Sequence, residues 1–138
     1  TLLEDLRAAG LRLGLVSDYR GIDKRIACLG LRMDAFDYCM VTEAHGAMKP
    51  AVRMAEATLR GMGLAGSSMV MVGDRAFADE QFASVAGMAF EGVTAPGEEP
   101  AGANWHLWSG IRARLSELCR SSRDATRQRW QRRAAVEQ

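Results

Sequence analysis

The chain has 138 residues, 48% of them hydrophobic and 25% charged, with a formal net charge of +1. These values are ordinary for one soluble globular domain, and no run approaches the ~20 apolar residues that span a bilayer. No stretch resembles a signal peptide, although the first residue is Thr1 rather than Met, so a missing leader carries little weight. Charge is uneven along the chain. Residues 1–104 hold 10 Lys/Arg against 14 Asp/Glu, and residues 105–138 hold 8 Arg against 3 acids. The chain therefore divides into a core over 1–104 and a C-terminal helix with an Arg-rich tail over 105–138.

In chain order, Thr1-Leu-Leu-Glu4 is a capping-box pattern, with Leu2, Leu3 and Leu6 as the apolar face of a helix that Gly10 stops. Leu11–Val16 is predicted as a strand ending at Ser17-Asp18, and Ile22–Leu29 as a short helix closed by Gly30. Phe36–Thr42 is a second strand, less apolar and nearer an edge. Pro50 suits the first turn of a helix reaching about Gly61. Met69–Val72 is an apolar run suited to a strand buried on both faces. Ala76–Ala86 is predicted as a helix, Met88–Gly92 as a short strand, and residues 93–104, rich in Pro and Gly, as a loop. A helix is expected from near Trp105 onward, with Trp105 and Trp108 on one face. The alternation argues for an α/β fold with a parallel sheet, whose ligands bind beyond the carboxyl ends of the strands.

Three local patterns carry chemistry. In Met69-Val-Met-Val-Gly-Asp-Arg-Ala-Phe-Ala-Asp79, a strand delivers Asp74 at its tip, Gly73 permits a tight turn with room for a ligand, and Asp79 follows in the next helix. Two such carboxylates can hold a hard cation such as Mg2+; equally, Asp79 can serve the helix N-terminus and Asp74 the turn. Ser17 at a strand tip can donate to a phosphoryl oxygen or simply form a turn. Lys49, ahead of the helix that Pro50 begins, places a positive charge beside the positive end of a helix dipole, or is a solvent-exposed loop lysine.

Taken together, Ser17, Lys49-Pro50 and Gly73-Asp74…Asp79 resemble, in order and spacing, motifs II, III and IV of the haloacid dehalogenase (HAD) superfamily. Arg-Ala-Ala-Gly before the first strand, Thr42-Glu43 ahead of Lys49, and Ala86-Gly87-Met88 extend the resemblance over roughly residues 1–92. It implies a Rossmann-like three-layer core and a Mg2+-dependent phosphatase, phosphoglycolate phosphatase-like, acting in the cytoplasm on a small phosphorylated metabolite. It further implies that Ser17 binds the phosphoryl group, Lys49 neutralises charge on the nucleophile and phosphoryl oxygens, Asp74 binds Mg2+, and Asp79 orients the acidic loop or joins the metal site. Asp18 stands where many members carry Asn and adds a negative charge near an anion site.

The family's first motif, Asp-x-Asp, is absent from the sequence. Its leading Asp is the nucleophile, and its strand lies between those bearing Ser17 and Asp74. The central strand and the cap are therefore both missing, the chain is expected to be a fragment inactive alone, and a partner segment or chain can supply the strand. The rival reading is a non-catalytic HAD-like binding or scaffolding domain.

Other signals are set aside. Gly61-Met-Gly-Leu-Ala-Gly66 follows a helix and precedes a strand, the reverse of a dinucleotide fingerprint. His45 and His106 lack partners at triad or metal spacing, and His45, in a loop near Lys49, is assigned to the surface rather than to a substrate contact. Cys28, Cys39 and Cys119 form no zinc or disulfide pattern and are taken as small, mostly buried hydrophobes. The eight arginines of residues 112–133 are assigned to a solvated or disordered tail, with neither nucleic acid nor a membrane expected as a partner.

Overall fold

The computed structural model describes residues 1–41 and 45–136, with side chains through Asp124 except those of Ser122 and Arg123. Thr42-Glu43 and the side chains of most of the Arg-rich segment lie outside the described residues. Helix α1 (Leu2–Ala8) starts on the expected capping box, with Thr1 and Glu4 exchanging both bonds. Strand β1 (Gly14–Ser17), helix α2 (Ile22–Cys28) and strand β2 (Tyr38–Val41) follow. Helix α3 (Val52–Met62) leads to β3 (Val70–Gly73), a single π-turn (Ala76–Glu80), α4 (Gln81–Ala86) and β4 (Ala89–Thr94). Strand β5 (Trp105–Leu107) and helix α5 (Trp108–Val136) complete the chain.

All strand pairs are parallel, but they form two separate sheets, β1-β2 and β3-β4-β5. No ladder joins β1 to β3. This is the α/β architecture expected, with its middle strand missing. Strand β3 shows the consequence. It was expected to be buried on both faces, yet Val70 and Val72 are 39% and 38% exposed. β3 pairs with β4 along one edge, and among the described residues its other edge carries no ladder.

Helices cover both faces. Met40, Met54, Ala55, Phe82 and Ala86 form one core cluster, against which Val16 of β1 and Met71 of β3 both pack. The two sheets are thus held together by side chains from α3 and α4. Phe82 is fully buried, and truncating such a residue to Ala typically costs about 3–5 kcal/mol. On the other face Val93, Ile111 and Leu115 pack with Leu2 and Leu6, so α5 and α1 meet there.

The glycines set aside as a fingerprint have packing reasons. A Cβ on Gly61 would meet the Tyr38 ring at 2.0 Å, and one on Gly66 would meet the Ala86 carbonyl at 1.9 Å. Gly63 ends α3 at φ +62°, a left-handed position that favours glycine.

Three local expectations need correction. Trp105 opens a strand, not a helix: its residues pair with Gly92–Thr94 of β4, and its ring meets Phe90 edge-on at a centroid distance of 5.6 Å. Trp108, which begins α5, is exposed, so the two tryptophans do not share a helix face. The cysteines are free but not mostly buried: Cys28 is exposed, and Cys39 and Cys119 are partly so. The helix expected from near Trp105 onward starts at Trp108 and runs through the Arg-rich segment to Val136. Among the described residues, no helix is long and apolar enough to cross a membrane.

Candidate active site

Ser17 is buried as the last residue of β1, and its Oγ accepts the Tyr19 amide at 3.1 Å. The local turn role open to a serine at a strand end is therefore present. The following residue, Asp18, reaches across to the loop before α3, where its Oδ1 accepts the Lys49 backbone N–H at 2.9 Å.

Lys49 does not sit on a helix start. Pro50, joined to it by a cis peptide, lies two residues before α3, whose N-cap is Ala51. What fixes the ammonium is a carboxylate rather than a helix dipole. Lys49 Nζ donates to Asp79 Oδ1 at 2.5 Å and to the Val16 carbonyl at 3.4 Å. The paired side chains are 9% and 4% exposed, so the lysine is not a solvent-exposed loop residue. Val16 belongs to β1, and Asp79 follows β3. Lys49 thus spans the opening between the two sheets at their carboxyl ends.

Asp79 is committed on both oxygens. Its Oδ2 accepts the backbone N–H groups of Asp74 and Arg75, each at 3.1 Å, which closes the loop after β3. Gly73 is required by that closure. A Cβ there would lie 2.4 Å from the Asp79 side chain, so the space expected for a ligand is taken by Asp79 itself. Asp74 is exposed, and its carboxylate accepts no hydrogen bond among the described residues.

A hard cation such as Mg2+ prefers oxygen donors. The donor chemistry at Asp74 and Asp79 fits such an ion in kind. The number is short, because no group of three or more His, Cys, Asp and Glu among the described residues is placed to hold a metal.

Residues 1–87 match the model of the haloacid dehalogenase-like hydrolases. The chain belongs to this family. The folds agree. A HAD phosphatase from Thermococcus onnurineus superposes with a TM-score of 0.71 at 26% identity, over 83% of this chain and 54% of that one. A 2-haloacid dehalogenase from Pseudomonas syringae pv. tomato gives 0.64 at 25% identity, over 85% and 51%. A β-phosphoglucomutase from Clostridium difficile gives 0.60 at 21% identity, over 68% and 41%. The chain spans about half the length of these proteins. No curated protein sequence matches it.

This haloacid dehalogenase-like chain holds a second charged cluster that sequence reasoning missed. Glu91 on β4 is buried. Its Oε2 meets His106 Nε2 of β5 at 2.6 Å, and its Oε1 accepts from Arg114 of α5 at 2.9 Å. Burial pushes the Glu91 carboxyl up, but the hydrogen bonds from Arg114 and His106 outweigh it and hold the group below its ordinary range. His106 therefore has a carboxylate partner that sequence spacing did not show; His45 is exposed, as expected. The available signal was a lone charge inside the apolar run Met88–Gly92. The open cavity beside the cluster, lined by His106, Arg114, Glu117 and Arg120, shares no residue with the Ser17–Lys49–Asp74 region.

Proposed function

We propose that this chain carries the phosphoryl- and cation-binding half of a Mg2+-dependent phosphoric monoester hydrolase, phosphoglycolate phosphatase-like. On this reading the attacking Asp arrives on a separate strand seated between β1 and β3. The observation that carries the proposal is the position of the Lys49 ammonium, which bridges an opening bounded by two unpaired parallel edges. A strand edge without a partner presents free N–H and C=O groups, so a parallel strand placed there gains a ladder on each side. A carboxylate at its tip would arrive beside a fixed positive charge.

In such an assembly Ser17 would orient a phosphoryl oxygen, Lys49 would offset charge on the nucleophile and the phosphoryl group, and Asp74 would hold Mg2+. Asp79 would fix Lys49 and the Asp74 loop. Bound Mg2+ would supply charge neutralisation at the phosphoryl oxygens, and phosphoryl transfer depends chiefly on that neutralisation and on positioning. The substrate class is a small phosphorylated metabolite. The free thiols of Cys28, Cys39 and Cys119 suit a reducing cytoplasm.

The test is turnover of p-nitrophenyl phosphate with Mg2+. The 138-residue chain alone is expected to show none. Robust turnover that Asp74→Asn abolishes would overturn the need for a supplied strand. A second reading is a non-catalytic binding or scaffolding domain, in which the Lys49–Asp79 pair serves only to tie the two sheets together. The coding sequence upstream of Thr1 separates the two. An apolar strand ending in Asp-x-Asp supports the enzyme, and a start codon there supports the binding domain.

A further inference from the structure

Lys49 is held at both ends of the residue, by β1 at one and by the residue that follows β1 at the other. The Val16 carbonyl takes the side-chain ammonium, and the Asp18 carboxylate takes the main-chain N–H. Asp18 lies 31 residues from Lys49 in sequence, so this bond ties the turn after β1 to the loop before α3. The Tyr19-to-Ser17 bond shapes the turn on which Asp18 sits.

We infer that Asp18 is the positioning residue for Lys49: its side-chain oxygen fixes the backbone from which the ammonium reaches the opening between β1 and β3. The geometry needs one acceptor oxygen. An amide oxygen at the same place can accept the same N–H, whereas the carboxylate makes a stronger, charge-assisted bond. The carboxylate also brings a negative charge to a region otherwise suited to an anion. The residue thus strengthens the seat of Lys49 at the expense of anion affinity. Its meaning for catalysis rests on the phosphatase proposal, but the contact itself does not.

The full chain has only two lysines, Lys24 and Lys49, and Lys24 is exposed. Acylation read by mass spectrometry on the 138-residue protein therefore carries its own reference. The Lys49-to-Lys24 labelling ratio and the hydrogen exchange of the Lys49 amide are compared in wild type, Asp18→Asn and Asp18→Ala. Circular dichroism confirms that each variant is folded, and Lys24 labelling reports any general loosening. Asp18→Asn is expected to keep both readouts near wild type. Asp18→Ala is expected to raise the labelling ratio and speed exchange at Lys49 by about tenfold, the scale of one lost hydrogen bond.

Inorganic phosphate is then added as the probe. It is expected to slow Lys49 labelling, and more so in Asp18→Asn than in wild type. Unchanged Lys49 exchange and labelling in Asp18→Ala, or an Asn variant as disturbed as the Ala variant, overturns the inference. If the Ala and Asn variants behave as expected but phosphate gives no protection, the positioning role stands and the phosphatase proposal loses its support.

Discussion

Lys49 Nζ and Asp79 Oδ1 meet at 2.5 Å in a pair that is nearly closed to solvent, with one partner before α3 and the other in the turn after β3. Through its second contact, to the Val16 carbonyl, Lys49 joins the β1 side of the site to the β3 side.

Removing one partner should therefore leave a buried charge without compensation. Asp79→Asn is expected to destabilise the fold by about 3–5 kcal/mol. The paired change Lys49→Met with Asp79→Leu should cost less than either single charge removal predicts by addition, because neither charge is then stranded. Urea denaturation of wild type, Lys49→Met, Asp79→Leu and the double variant measures the coupling directly. Additive single and double effects would show that the pair contributes nothing beyond its parts.

Gly73 is expected to tolerate no side chain. A Cβ at that position would sit 2.4 Å from Asp79, which itself closes the loop through two backbone N–H groups. Gly73→Ala should cost about 1–3 kcal/mol, the usual scale of overpacking, and should speed amide exchange at Asp74 and Arg75. A variant as stable as wild type would mean that Asp79 can move aside without loss.

Asp74 should behave in the opposite way. Its carboxylate is exposed and accepts no hydrogen bond among the described residues. Asp74→Asn is expected to change unfolding stability by no more than about 0.5 kcal/mol. In an assembly that turns over a phosphate ester, the same substitution should remove Mg2+-dependent activity. A large stability loss would assign Asp74 to the fold instead.

Acid should loosen the β4–β5–α5 face through Glu91. Desolvation raises this carboxyl, but Arg114 and His106 hold it below its ordinary value of 4.5 in the folded chain. In the unfolded chain those partners are gone, so the unfolded state binds more protons across the interval. The stabilisation is complete above the unfolded value and is lost as pH falls through the lower folded value. The urea midpoint of wild type should thus fall more steeply below about pH 4.5 than that of Glu91→Gln, whose neutral side chain cannot titrate. Parallel curves for the two proteins would remove Glu91 as the source.

Much of the local structure was legible because local physics decides it. Thr1 and Glu4 cap α1 through neighbours three residues apart, and alternating short apolar runs and helices specify parallel α/β units. The segment Trp105–Leu107 was not legible. Its strand exists because β4 offers an open edge, and no pattern within three residues encodes that. The Glu91–His106–Arg114 cluster was hidden for a related reason: its members come from two strands and a helix that meet only after folding.

By itself the sequence determined the order Ser17, Lys49, Asp74 and Asp79, and the absence of Asp-x-Asp, because motif order and composition are properties of the chain. Only the tertiary structure decided how those residues are used. It left β1 and β3 unpaired rather than zipped together, because side chains from α3 and α4 hold the sheets in place without a ladder between them. It gave Asp79 to Lys49 and to the loop amides, and it turned Asp18 from an unexplained charge into the acceptor for Lys49. The Asp18–Lys49 and Lys49–Asp79 contacts depend on which groups face each other across 30 or more residues of chain, and burial then compels each of them to find a partner.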